Sequence, residues 1–485
     1  MSDYIILTII FGYFLLLLGI SYITSRKADN QSFFQANKSA PWFLVAFGMI
    51  GTSLSGVTFI SVPGTVGTAH FGYFQVVLGY FIGYFVVAFV LLPLYYRFNL
   101  TSIYSYLEQR FGIRSYKTGV LLFIVSRTLG ATLRLYLVIN VLQLFILDKM
   151  NVSFHVTSAV ILLMILLYTI KGGVKTIVWT DTLQTLFMLL ALVTCVVYIM
   201  QDMNMNAGQA MDAIRSDGLS EIFNFDFNGS KFFLKQIIGG AFITISMTGL
   251  DQEMMQKNIS VNTVRNSQKN MITFSFILVA VNFLFLVLGA LLTLYASRNG
   301  LAAVGDDLFP TVAMQHLPGV IGLIFIVGLI SALFPSADGA ITALTSSFCL
   351  DILGFKRNKE ANEQKLQHTR MWVHLAFAFV FLVCIFIFKW IDNKSIINIL
   401  LAIAGYTYGP LLGLFAFGIL SKRTVLDFAT PVICLASPLL AFLLEKNSEA
   451  WLGGYQFGFE LLLFNGILTY IGLLIFSKKT TPAME

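Results

Sequence analysis

Residues 51–56 read GTSLSG, inside an apolar run that begins at Pro41 and ends near Pro63 and Gly64. Two glycines, a threonine and two serines stand where a membrane helix would pass the bilayer centre. A helix that only had to span lipid would carry Leu and Val there. Unpaired backbone is tolerated at membrane depth only where it lines a cavity or is buried in protein. A second soft stretch, ISMTGLDQ at 245–252, lies five apolar runs further on, and ALFPS at 332–336 is a third polar interruption. One such helix alone would read as close packing through small residues. Two at corresponding positions of two halves point to a transporter built from inverted repeats, with discontinuous helices and the binding site at the breaks.

Composition sets the frame for this reading. The 485 residues are 57% hydrophobic and 11% charged, against about 25% charged in soluble domains. About 20 apolar residues cross a bilayer. Thirteen runs qualify, at roughly 4–23, 42–64, 72–96, 118–146, 154–170, 177–200, 234–252, 271–296, 317–350, 371–390, 396–420, 424–444 and 457–477. The expected class is an all-α polytopic membrane protein with about 13 transmembrane helices. The run at 4–23 has no basic stretch before it and reads as the first helix, not a cleaved signal. Cys195, Cys349, Cys384 and Cys434 all lie in apolar runs without metal-ligand spacing.

The net charge of +7 has a simple origin. With an odd number of spans the termini face opposite sides. Placing the N-terminus outside puts 21 of the Lys and Arg residues in inside loops and 8 in outside loops, with Arg127 and Arg134 within a span. The positive-inside rule then fixes a cytoplasmic C-terminus, and no nucleic-acid partner is needed to explain the charge. The short outside loops fit a cell inner (plasma) membrane. Asn228-Gly-Ser in the loop at 201–231 carries no argument. No phosphate-binding glycine loop occurs, which argues against ATP-driven transport.

Ionisable residues inside spans mark function or pairing. Arg127 and Arg134 lie seven apart in the fourth run and so share a helix face. Asp181 opens the sixth, Asp338 lies within the ninth and Glu460 begins the last. Asp181 and Glu460 also suit an interface, and Arg134 suits either a bound anion or neutralisation of Asp338.

YTIKGGVKTIVWTD, 168–181, then resembles the signature of the sodium:solute symporter family, which includes sodium/glucose, proline and sialic acid cotransporters. TGLDQ at 248–252, Asp351-Ile352 and GYTYGPLLGLF at 405–415 match as well. The resemblance covers nearly the whole chain. It implies one transporter domain over 1–485, with a five-plus-five inverted-repeat (LeuT-like) core. The first helix is 4–23, repeat one spans about 42–200, repeat two about 234–420, and extra C-terminal helices cover about 424–477. By similarity a sodium ion falls on Gly51, Leu54, Ala332 and Ser336. Pro335 stands where many relatives have a second hydroxyl; it offers no side-chain oxygen but frees the carbonyl of residue 331. Asp181 matches an aspartate near the sodium exit. A second sodium in some sialic acid transporters uses that aspartate and a serine pair, which here is Asp338 and Gly339, so one sodium is the favoured count. Substrate-lining positions of that subgroup fall on Ser53, Ser55, Thr58, Phe71, Gln75, Arg134 and Phe242. An Arg134 fork suits a carboxylate, the hydroxyls and Gln75 suit polyol groups, and the aromatics suit a sugar ring.

The expectation is sodium-coupled import of a small polar solute by alternating access, with sialic acid or another acidic sugar-like solute foremost. A neutral sugar and a monocarboxylate stay open, as does proton coupling through Asp181 and Asp338. An ion channel lacks its carbonyl-ring filter. An intramembrane enzyme lacks a catalytic constellation, since His374 stands alone. A non-transporting sensor lacks an appended signalling domain. Partners are sodium, the solute and the bilayer; no cofactor is implied, and function as a monomer is expected.

Overall fold

The computed structural model describes residues 3–26, 29–355, 357, 362–391 and 396–478. Lys27, Lys356, Lys359, Lys394 and Lys479, counted above, lie outside the described residues. The bundle is built from α1 (Asp3–Ser25), α2 (Trp42–Ala69), α3 (Tyr73–Arg97), α4 (Ile113–Met150), α5 (Phe154–Thr169), α6 (Val174–Asp202) and α7 (Phe233–Gly249). It continues with α8 (Gln252–Asn258), α9 (Val264–Arg298), α10 (Gly319–Ile352), α11 (Glu363–Ile391), α12 (Ile396–Leu420), α13 (Thr430–Trp451) and α14 (Leu461–Ile475). A two-residue antiparallel ladder, β1 (Thr424–Val425) with β2 (Ser477–Lys478), ties the start of α13 to the end of α14. Among the described residues nine helices are long and apolar enough to cross a membrane, and α7 with α8, bent by 68°, makes ten if the pair is counted as one span. The shorter helices α5 and α14, and α13, stand where the other apolar runs do.

Two packing devices hold the centre. α2 lies against α6, α9 and α10, and Phe59 fills that junction. Its ring sits 5.7 Å from Phe285, 5.3 Å from Phe309 and 5.8 Å from Phe325. α3 and α7 touch backbone to backbone. A Cβ on Gly79 would stand 2.8 Å from the Ala241 nitrogen and 2.9 Å from the Gly240 Cα, so only glycine permits this seam.

The sequence places a break at 332–336, and here the structure differs. α10 runs through Pro335 as continuous helix. Proline removes one hydrogen bond, to the carbonyl of Ser331. The segment around it is fully buried, which holds the flanking turns in place. The two other soft stretches do break.

Candidate functional site

Within α2 the chain leaves helical geometry at Ser55, with φ 44° and ψ 173°. A serine in this region is held by its surroundings, because a Cβ disfavours positive φ. The turn interrupts the regular helical geometry at this point. No side chain among the described residues donates to the carbonyls of residues 51–54. Gly51 packs at this point against α10: a Cβ there would lie 3.5 Å from Pro335 Cγ. Its N–H donates to Thr185 Oγ1 on α6 at 3.1 Å. Leu54, Ala332 and Ser336 are buried as well, and the Ser336 hydroxyl donates to the Leu333 carbonyl at 2.8 Å.

The second break, between α7 and α8, is fully provided for. Tyr95 donates to the Gly249 carbonyl at 2.7 Å and Tyr104 to the Leu250 carbonyl at 2.9 Å. The Asp251 carboxylate caps α8, accepting from the N–H groups of Glu253 and Met254. Tyr408 on α12 donates to its other oxygen at 2.7 Å.

Between the breaks lies a cavity of about 90 Å³, lined among others by Ser53, Ser55, Thr58, Tyr80, Tyr84 and Arg134. Arg134 is 8% exposed. Among the described residues its guanidinium has no ion pair and no hydrogen bond, and its Nε is buried without a partner. It does not neutralise Asp338, which accepts from the Tyr168 hydroxyl at 2.7 Å. Arg127, two turns away, is spent: it pairs with Glu253 and lies 3.9 Å from Asp251. Lys257, which the run boundaries place in an inside loop, is buried. Its ammonium meets Asp181 Oδ2 and Thr52 Oγ1, each at 2.7 Å. Asp181 therefore sits two turns inside α6, fully buried and paired, not at an interface. Glu460 does lie near a helix end, accepting from the Tyr455 hydroxyl at 2.9 Å.

Of the expected substrate positions, Ser53, Ser55, Thr58 and Arg134 share the cavity. Phe71, Gln75 and Phe242 are not among its lining residues. Gln75 instead faces a wider vestibule of about 670 Å³, toward the end that carries the 201–231 loop. Tyr73 and Leu401 line both spaces and form their common wall. The opposite, basic end is tied together by hydrogen bonds. Ser102 and Tyr116 both donate to Asp351 at 2.7 Å, and Lys117 donates to the carbonyls of Asp351 and Ile352.

Sequence reasoning missed Tyr73, Tyr80 and Tyr84. The signal was present, because spacings of seven and four place them on one face of α3. It missed Lys257 and Glu253 because they follow a break, where a span ends on paper and the burial continues in space.

The family model described as the sodium:solute symporter family matches residues 33–427. The sodium/sialic acid symporter SiaT of Proteus mirabilis is 24% identical over 98% of this chain and 94% of its own length. The sodium/sialic acid symporter NanT of Aliivibrio fischeri is 23% identical over 85% of this chain and 82% of its own. A solved structure of the substrate-bound outward-open state of a sodium-coupled sialic acid symporter superposes with a TM-score of 0.82 over 99% of both chains, at 20% identity, and shares the fold. A helix broken at Ser55, a second break beside it and a family match across both make the assignment: the chain is a multi-pass membrane transporter, not an enzyme, and belongs to the sodium:solute symporter family.

Proposed function

We propose that this protein imports sialic acid, or an acidic sugar-like solute of the same kind, together with sodium. The observation that carries the solute assignment is Arg134. A buried guanidinium without a contacting counter-charge is costly, by several kcal/mol for an ion taken out of water. Its position facing a polar cavity fits a site completed by the carboxylate of a bound solute. The planar fork of arginine suits a carboxylate held by two parallel hydrogen bonds. Ser53, Ser55 and Thr58, with Tyr80 and Tyr84, supply the hydroxyl-rich surround that a polyol needs. The relatives named sodium/sialic acid symporters agree with this reading.

Sodium, in this reading, sits on the other side of the same break. The carbonyls of Gly51 and Leu54, the carbonyl of Ala332 and the Ser336 hydroxyl would hold it, with Pro335 leaving the Ser331 carbonyl without its helical donor. A hard cation takes oxygen ligands, which unwound backbone and hydroxyls supply. Helices α2–α6 and α7–α12 form the two repeats, with the N-terminus outside, the C-terminus in the cytoplasm of a cell with an inner membrane, and one chain as the working unit. The vestibule end is then outside, and the basic end faces in. Sodium and solute bind from the vestibule, Tyr73 and Leu401 give way and reclose, and the hydrogen bonds to Asp351 and Ile352 at the basic end part to release both.

The test is uptake into proteoliposomes under an imposed sodium gradient, with sialic acid beside neutral sugars, monocarboxylates and amino acids. Sodium-driven uptake of sialic acid is expected. Sodium-driven uptake of a neutral sugar alone overturns the solute assignment, and uptake that ignores sodium but follows a pH gradient overturns the coupling ion.

A further inference from the structure

The ammonium of Lys257 stands in a nest built for a cation. Its neighbours are Asp181 Oδ2 and Thr52 Oγ1 at 2.7 Å and a Glu253 carboxylate oxygen at 3.6 Å. These come from α6, α2 and α8. All three are hard oxygen donors of the type sodium takes. The Lys257 side chain is 4% exposed and those of its two acidic partners 0% and 1%. Asp338 on α10 is the third acid whose charge reaches Lys257. Among the described residues, one oxygen of Asp181 and one of Asp338 have no hydrogen-bond partner although both side chains are fully buried. The nest is thus richer in oxygen than one ammonium can use.

Gly339 shows how closely the nest is fitted. A Cβ there would stand 2.7 Å from the Glu253 carboxyl carbon. Any larger residue would push Glu253 from its place between Lys257 and Arg127. We propose that the Lys257 ammonium is a tethered cation that occupies a second cation site, so that the chain binds one sodium ion and not two. The inference rests on the sodium-symport reading above and deepens it by fixing the ion count.

The physical consequence concerns what leaves the protein. A sodium ion bound by Asp181 dissociates into the cytoplasm once per cycle. An ammonium on a side chain cannot. It neutralises Asp181 in every state, and it ties Thr52, the neighbour of Gly51, to the helix beyond the second break. One sodium carried with a monoanionic solute moves no net charge. The membrane potential, about 2.3 kcal/mol per charge per 100 mV, then adds nothing to accumulation.

The experiment counts radioactive sodium bound at saturation to the purified full chain in lipid nanodiscs, without solute. The wild type is expected to bind one ion with a non-cooperative isotherm. Lys257→Ala frees the oxygens of Asp181, Thr52 and Glu253 and is expected to bind two. Lys257→Arg keeps the charge and is expected to bind one. Adding Ser336→Ala to Lys257→Ala should raise the sodium concentration that half-fills one of the two sites about tenfold and leave the other unchanged. Two ions on the wild type overturn the proposal whatever the variants do. So does a single ion on Lys257→Ala whose thermal unfolding remains cooperative; Lys257→Gln serves in its place if the alanine variant does not fold. No sodium on the wild type overturns the symport reading itself, and one ion on both proteins leaves that reading standing while removing this one.

Discussion

Both half-spans break, yet the two breaks are finished differently. At the end of α7 the freed carbonyls of Gly249 and Leu250 receive hydrogen bonds from Tyr95 and Tyr104, and Asp251 caps the helix that follows. At Ser55 in α2 no described side chain donates to the carbonyls of residues 51–54. A backbone group left unpaired at membrane depth costs several kcal/mol. The first kind of break is a completed joint. The second lies beside the polar cavity, where the proposed sodium and solute would bind. The two arginines of α4 repeat the lesson. Arg127 is answered by Glu253 and Asp251, while Arg134, on the same face and nearer the vestibule, has no ion pair or hydrogen bond among the described residues.

The arginine pair gives the largest expected effect. Arg134→Ala should weaken sialic acid binding by about 3 kcal/mol, roughly a hundredfold, the cost of removing one partner of a buried charge pair. It should leave the melting temperature unchanged or higher, since an uncompensated guanidinium is gone. Arg127→Ala should do the reverse, lowering stability by about 3 kcal/mol as Glu253 is left buried and unpaired. Calorimetric titration and thermal unfolding of both variants read the contrast, and equal losses of stability would erase it.

The breaks themselves come next. Ser336→Ala should raise the sodium concentration for half-maximal binding about tenfold, or about 1.4 kcal/mol, with stability unchanged. Tyr95→Phe and Tyr104→Phe should each cost about 1 kcal/mol of stability and leave sodium affinity alone. A shift in sodium affinity from either tyrosine variant would mean that both breaks share one ion.

How far the sequence carried this comparison follows from what each feature depends on. GTSLSG announced its break because Gly and Ser act locally on the helix. ALFPS announced one that does not exist, since a buried, well-packed helix absorbs a single proline. Arg134 was legible as an intramembrane charge, but its lack of a partner was not. That fact belongs to α7, α10 and α12, which decide where Asp251, Asp338 and Tyr408 point. Lys257 read as a loop cation for the same reason. A run of polar residues after an apolar one looks like a way out of the membrane, and only the 68° bend turns it back into the bundle.

Gln75 separates family resemblance from placement, with the smallest expected effect. Resemblance puts it on the solute; the structure puts it in the vestibule wall. Its side-chain oxygen accepts from the Asn224 N–H at 3.2 Å and its amide donates to the Gly72 carbonyl at 3.0 Å. It therefore pins the segment after Glu221 beside the mouth, where Phe71 also holds the Glu221 carbonyl through its N–H at 3.0 Å. A part-exposed hydrogen bond of this kind contributes roughly 0.5–1 kcal/mol. Gln75→Ala should change the sialic acid half-saturation constant by less than about threefold, with hydrogen exchange rising at residues 221–226. A loss on the scale of Arg134→Ala, with no change in exchange, would move Gln75 into the solute's contact shell. The solute would then span both cavities at once, across the wall that Tyr73 and Leu401 form between them.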